Sequence, residues 1–147
     1  MSAVRDDALS RLCTLLATVG SVDPVLTYVP VTKVVKTGVV TEGTFPPYIV
    51  IESVSEGYTR TTSGGIYDRR LRVRFSYVST MFGGFVETGK IVHHVEQSVG
   101  AERTLNGTAI QVAFISNESS VDGQYLYVRF EVEIHYRTVD AVPGTRV

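Results

Sequence analysis

The sequence predicts an α+β fold: a mainly antiparallel β-sheet covered on one face by two helices, with an extended β-rich arm and long loops. Three observations carry this. Two segments, about 1–20 and 85–99, place apolar residues at three- and four-residue steps. Two others, 66–78 and 124–137, alternate apolar and polar residues over more than ten positions. Between them lie stretches rich in valine, proline and glycine, which disfavour further helix. Helices that each bury one stripe, and strands that each bury one face, are satisfied by packing on each other.

In the first segment Ala8, Leu9, Leu12, Cys13, Leu15, Leu16 and Val19 form the apolar stripe. Asp6 and Asp7 suit its first turn, and Gly20 suits a left-handed cap at its end. Residues 21–45 read as an extended arm, or as a hairpin turning near Lys36-Thr37-Gly38. Pro46 and Pro47 lead into a strand from Tyr48 to Val54 whose apolar residues on both faces suggest a central position. Ser55–Gly65 is polar and glycine-bearing, with few anchors to a core, and reads as an exposed, mobile loop. It lacks the lysine and the strand–helix setting of a phosphate-cradling loop.

The strand from Ile66 to Val78 puts Tyr67, Arg69, Leu71, Val73, Phe75 and Tyr77 on one face. Asp68, Arg70, Arg72, Arg74 and Ser76 take the other. Phe85, Val92, Val95 and Val99 mark the second helix, with Gly100 as its stop and Gly89 as a weak point inside it. Leu105-Asn106-Gly107-Thr108 reads as a tight turn, Ala109–Ser116 as a strand and Asn117–Gly123 as a polar turn. In the last strand Leu126, Val128, Phe130, Val132, Ile134 and Tyr136 alternate against Tyr127, Arg129, Glu131, Glu133 and His135. The tail from Thr138 onwards is expected to fray.

Length and charge narrow the function. At 147 residues the chain fits one domain, 1–147, large enough to bury a core without a staple or a metal. A net charge of −1 argues against a general basic footprint for nucleic acid. The single cysteine, Cys13, has no internal partner and sits on an apolar stripe, where it reads as a small buried hydrophobe. The start, Met1 to Asp7, lacks a signal peptide's apolar core, and no apolar run reaches the roughly 18 residues that span a bilayer. The chain therefore reads as made in the cytoplasm.

Catalytic constellations are weak. His93 and His94 are adjacent, so on a helix they point about 100° apart and do not share one ion; both read as solvated. His135 ends a strand on its polar face and reads as exposed. No Gly-x-Ser-x-Gly elbow occurs. Glu131 and Glu133 share a face with Arg129 and Arg137, which favours salt pairing over a glycosidase-like acid pair. Asn106-Gly107-Thr108 and Asn117-Glu118-Ser119 fit the glycosylation pattern but read as turn residues. The sequence points to no catalytic residue, no cofactor and no metal. What stands out is a single-sign ladder, Arg70, Arg72 and Arg74, and an opposite one, Glu131 and Glu133. They pair either within one sheet or across a subunit boundary, and periodicity does not choose.

Taken in order, these elements resemble the tail terminator (tail completion, or head–tail joining) proteins of long-tailed double-stranded DNA phages. The resemblance runs through the leucine-bearing first helix and the Phe45-Pro46-Pro47-Tyr48-Ile49-Val50-Ile51 run. It continues in Asp68-Arg69-Arg70-Leu71-Arg72-Val73-Arg74-Phe75, the helix through Ile91–Val99, Leu105-Asn106-Gly107 and Tyr127-Val128-Arg129-Phe130-Glu131-Val132. It implies a structural virion protein in a ring, expected to be hexameric, that caps the head-proximal end of the tail tube and stops its polymerisation. The implied partners are further copies of the chain, the tail tube protein and a neck or connector protein. DNA passes through the channel without specific binding, and no membrane is involved. Arg70, Arg72, Arg74, Glu131 and Glu133 are then the expected subunit interface, and Glu56, Tyr58, Arg60 and Thr62 the expected partner-contact loop, ordered on assembly. Two rivals remain: another phage neck or tube module, or a soluble ligand-binding or enzymatic α+β domain.

Overall fold

The computed structural model describes residues 4–19, 31, 33–36, 38–60, 65–80, 88–105, 107, 109 and 111–139. Helix α1 (Val4–Leu16) is followed by the short strand β1 (Lys33–Val35) and by β2 (Tyr48–Arg60) and β3 (Ile66–Thr80). Helix α2 (Thr88–Gly100) precedes β4 (Gln111–Asp122) and β5 (Tyr125–Val139). The five strands form one sheet in the order β1-β2-β3-β5-β4. Every pairing is antiparallel except β1 on β2. The α+β class and its sheet-dominated build follow the alternation read from the sequence.

The apolar face of β3 (Leu71, Val73, Phe75, Tyr77) and that of β5 (Leu126 to Tyr136) are fully buried. Register places Phe75 opposite Phe130, where the rings stack at 5.2 Å, and Phe114 of β4 meets Phe130 edge-on at 6.2 Å. Both helices close this face. Ala8, Leu12, Leu15 and Leu16 come from α1, and Ile91, Val95 and Val99 from α2. The guanidinium of Arg11 ties α1 to Glu102, just past α2, with its Nε 2.6 Å from one carboxylate oxygen. Beyond Leu16 the chain tightens into a turn in which Thr18 and Val19 donate to Leu15 and Leu16. The Gly20 cap lies outside the described residues.

Several expectations need correction. Ser55–Arg60 is strand, the second half of β2, because its backbone pairs with β3 from Arg72 to Tyr67. Asn117–Asp122 likewise continues β4 against β5, leaving only a tight turn at Gly123, whose φ of +61° suits glycine. Thr138 is fully buried within β5 rather than frayed. His94 lies on the buried stripe of α2, while His93 is exposed as read. β1 runs parallel to β2, so the connection between them, described at residues 36 and 38–47, is a crossover and not a hairpin turn. The region 61–64, the start of the second helix at Phe85, and residues 140–147 lie outside the described residues.

The Phe75–Phe130–Phe114 stack makes a stability prediction. Phe130→Ala opens a cavity at the centre of the core and should cost about 3–5 kcal/mol. Urea unfolding followed by circular dichroism measures it; a loss below about 1 kcal/mol would show that the stack is not the packing centre.

Candidate functional site

Alternation along β3 and β5 sends their charged residues, Arg69 apart, to the face opposite the helices. Register then sets Arg72 beside Glu133 and Arg74 beside Glu131. The side chains pair in a zigzag: Arg70 reaches Glu133 at 2.8 Å, Arg72 reaches Glu133 at 3.4 Å and Glu131 at 3.6 Å, and Arg74 reaches Glu131 at 3.7 Å. The lattice extends both ways. Asp68 accepts from Arg137 at 2.7 Å and lies 3.1 Å from His135 Nε2, while Arg129 Nε donates to Glu52 at 3.0 Å. Ser76 also donates to Glu52. The structure thus brings all five expected ladder residues together, and pairs them inside one sheet. His135, read as exposed, is largely covered beside Asp68.

Both strands flanking this pair bulge at one level. Register shifts between Ile51 and Ser53 of β2, and between Phe114 and Ser116 of β4, both bordering the Arg74–Glu131 row. The first bulge lets Glu52 join the charged face next to Ser53; the second leaves Ile115 exposed. The lattice is also layered. Glu131 and Glu133 side chains are 16% and 14% exposed, whereas those of Arg70, Arg72 and Arg74 are 57%, 53% and 58% exposed. A partner approaching this face meets guanidinium groups first, three arginines sharing two carboxylates that lie deeper.

The pairing shifts the acids. A hydrogen bond from Arg70 holds the Glu133 carboxyl below its ordinary range against the opposing effect of burial. Arg137 and His135 do the same for Asp68. At Glu52 burial pushes upward, but hydrogen bonds from Arg129 and Ser76 outweigh it and the net shift is down. All three folded-state values lie below the unfolded ones, so their stabilisation is complete at neutral pH and is lost as pH falls through the carboxylate range. The melting temperature should therefore fall below about pH 4.5, with a shallower fall in Glu133→Gln and in high salt. An unchanged profile in Glu133→Gln would contradict the role given to that pair.

A second charged cluster was missed in the sequence. Glu56, expected on a mobile contact loop, sits on the helix side of β2 with a side chain 10% exposed. It accepts from Arg69 Nη1 at 2.6 Å and from the Tyr136 hydroxyl at 2.8 Å, and Arg5 of α1 lies 3.7 Å away. Burial, then Glu56, pushes the Tyr136 phenol well above its ordinary value. Arg69 also donates to Thr138 at 2.6 Å and lies over the rings of Tyr58 and Tyr67. The available signal was Arg69 on the apolar face of its strand, which needed a buried carboxylate. Of the expected contact residues, Tyr58 is exposed on β2, Arg60 ends β2, and Thr62 lies outside the described residues. Glu56→Ala strands Arg69 and should cost roughly 2–3 kcal/mol, against about 1 kcal/mol or less for Glu133→Ala. Equal losses in denaturation curves would contradict this ranking.

The remaining chemistry is sparse. The rings of His93 and His94 meet edge to face, with centroids 5.9 Å apart. Among the described residues no three His, Cys, Asp or Glu side chains group as metal ligands. Burial pushes the Cys13 thiol up, away from the reactive thiolate. The surface depressions are open. One of about 150 Å³ lies among Arg74, Glu118, Arg129 and Glu131, and one of about 350 Å³ over Ser55, Gly57, Asp68 and Arg70. No helix among the described residues is long and apolar enough to cross a membrane.

No family model matches the chain, and no curated protein matches it. Among solved structures the chain is similar to one from "Virion of native gene transfer agent (GTA) particle", at 10% identity, with 92% of each chain covered and a TM-score of 0.45. A likeness of that size carries no argument about function.

Proposed function

We propose that this chain is a structural virion protein of a long-tailed phage, a single-domain subunit of a hexameric ring at the head-proximal end of the tail tube. The ring stops tube polymerisation and offers the head or neck its attachment surface. The observation that supports this best is the guanidinium-topped sheet face. It is broad, fully ion-paired and open, which suits contact with another protein surface better than enclosure of a small ligand. The element order over the described residues also follows that expected from the sequence resemblance. On this reading Arg70, Arg72, Arg74, Glu131 and Glu133 belong to the contact surface between subunits.

Sedimentation velocity and negative-stain electron microscopy test the reading on the purified chain. The expected result is a closed ring of defined size. A monomer whose melting temperature rises with small molecules would favour a ligand-binding domain instead. Arg72→Glu places a third carboxylate beside Glu131 and Glu133. Each exposed pair is worth about 0.2–1 kcal/mol, but a ring repeats the defect at every interface. Ring formation should therefore weaken before the melting temperature moves by more than a few degrees. Intact rings with a much lower melting temperature would confine the ladder's role to the fold.

A further inference from the structure

The two edges of the sheet carry complementary features. At the β1/β2 edge, the crossover exposes Val39 (67%), Val40 (41%) and Phe45 (73%). These apolar groups are held in an ordered shape. Thr44 donates to the Thr41 carbonyl at 3.2 Å, closing a turn with Glu42 at its tip, and Gly43 adopts a φ of +89°. Gly38, at φ +76°, lies against β2, the site of a Cβ being 3.5 Å from the Ile51 carbonyl oxygen. The segment therefore stands along the sheet edge with its apolar side chains turned to solvent.

At the opposite edge, the end of α2 and the start of β4 leave an open groove of about 350 Å³. Its floor is Val99, Val112 and Phe114, and Glu96 and Arg103 stand on its rim. The charges match those of the crossover: Glu42 is the complement of Arg103, and Lys36 that of Glu96. Among the described residues none of these four makes an ion pair, while most other arginines are paired.

We infer that the 38–45 crossover of one copy docks into the α2–β4 groove of a second copy, Phe45 and Val39 or Val40 covering the partly exposed Val112 and Phe114, with Glu42 set against Arg103. The chain's own groove is out of reach. The crossover is tethered at both ends at the far edge, four strand spacings or about 19 Å from β4. Such a contact is head-to-tail: each copy keeps one free crossover or one free groove until the series closes. The inference rests on the reading of the chain as a ring subunit, and it names a second contact between neighbouring subunits besides the charged sheet face.

The test uses full-length chain in sedimentation velocity over a concentration series. Phe45→Asp, Glu42→Arg and Arg103→Glu alter exposed or rim positions, and circular dichroism confirms that each folds. Each should raise the concentration needed for half-assembly at least about fivefold, and Glu42→Arg with Arg103→Glu in one chain should recover much of it. Mixing Phe45→Asp with Arg103→Glu leaves one sound crossover and one sound groove, so the mixture should stop at dimers. Wild-type assembly matched by all three single variants overturns the inference while leaving the ring reading intact. Assembly that depends on Phe45 but yields open filaments supports the contact and contradicts the ring. A wild-type chain that stays monomeric up to its solubility limit overturns the inference.

Discussion

The register between β3 and β5 is the constraint on which everything else rests. Every residue from Ile66 to Thr80 has a partner in β5, with no bulge along the run. A slip of one residue would exchange the two faces, turning Arg70, Arg72 and Arg74 into the core and Phe75 and Val73 into water. The helices supply the apolar cover that makes this slip costly. The ion-pair lattice on the other face adds a second check, since a slip in the pairing would displace Arg72 from Glu133 and Arg74 from Glu131. Neither term needs to be large, because the pairing is long and each row votes for the same alignment.

The outer strands obey a looser rule. β2 and β4 both bulge beside the Arg74–Glu131 row, and beyond their bulges most of their side chains are exposed. Their distal halves are held by backbone pairing to the central strands more than by burial. Edges of this kind are where a sheet protein meets other chains, and natural sequences usually blunt them. Here β1 covers only Tyr48–Val50 of β2, and the crossover stands beside that point. The fold thus separates two tasks: a central strand pair that fixes structure, and two margins with side chains left for contact.

How much of this was legible depended on whether a segment's partner was written in its own pattern. β3, Arg69 apart, and β5 alternate regularly, so their existence, their faces and the opposed Arg and Glu ladders could be read directly. Ser55–Arg60 and Asn117–Asp122 could not, because polar residues on both faces look like loop unless the neighbouring strand is known to extend that far. Whether the ladders paired within a sheet or between subunits was likewise undecidable from periodicity; geometry pairs them within the sheet. Glu56 looked like a loop residue, although Arg69 on an apolar face already called for a carboxylate. His94 was misplaced because its burial depends on the rotation of α2 about its axis, which Ile91, Val95 and Ser98 share. The candidate contact surface was therefore half legible: its residues, but not their mutual satisfaction.

Native-state hydrogen exchange tests the primacy of the β3–β5 pairing most directly. Amides of Val73, Phe75, Phe130 and Val132 should exchange only through global unfolding and share one free energy. Those of β1 and of residues 117–122 in β4 should open locally at much lower cost. Protection in β4 equal to that in β3, or β3 and β5 opening independently of each other, would contradict a fold organised around this one register.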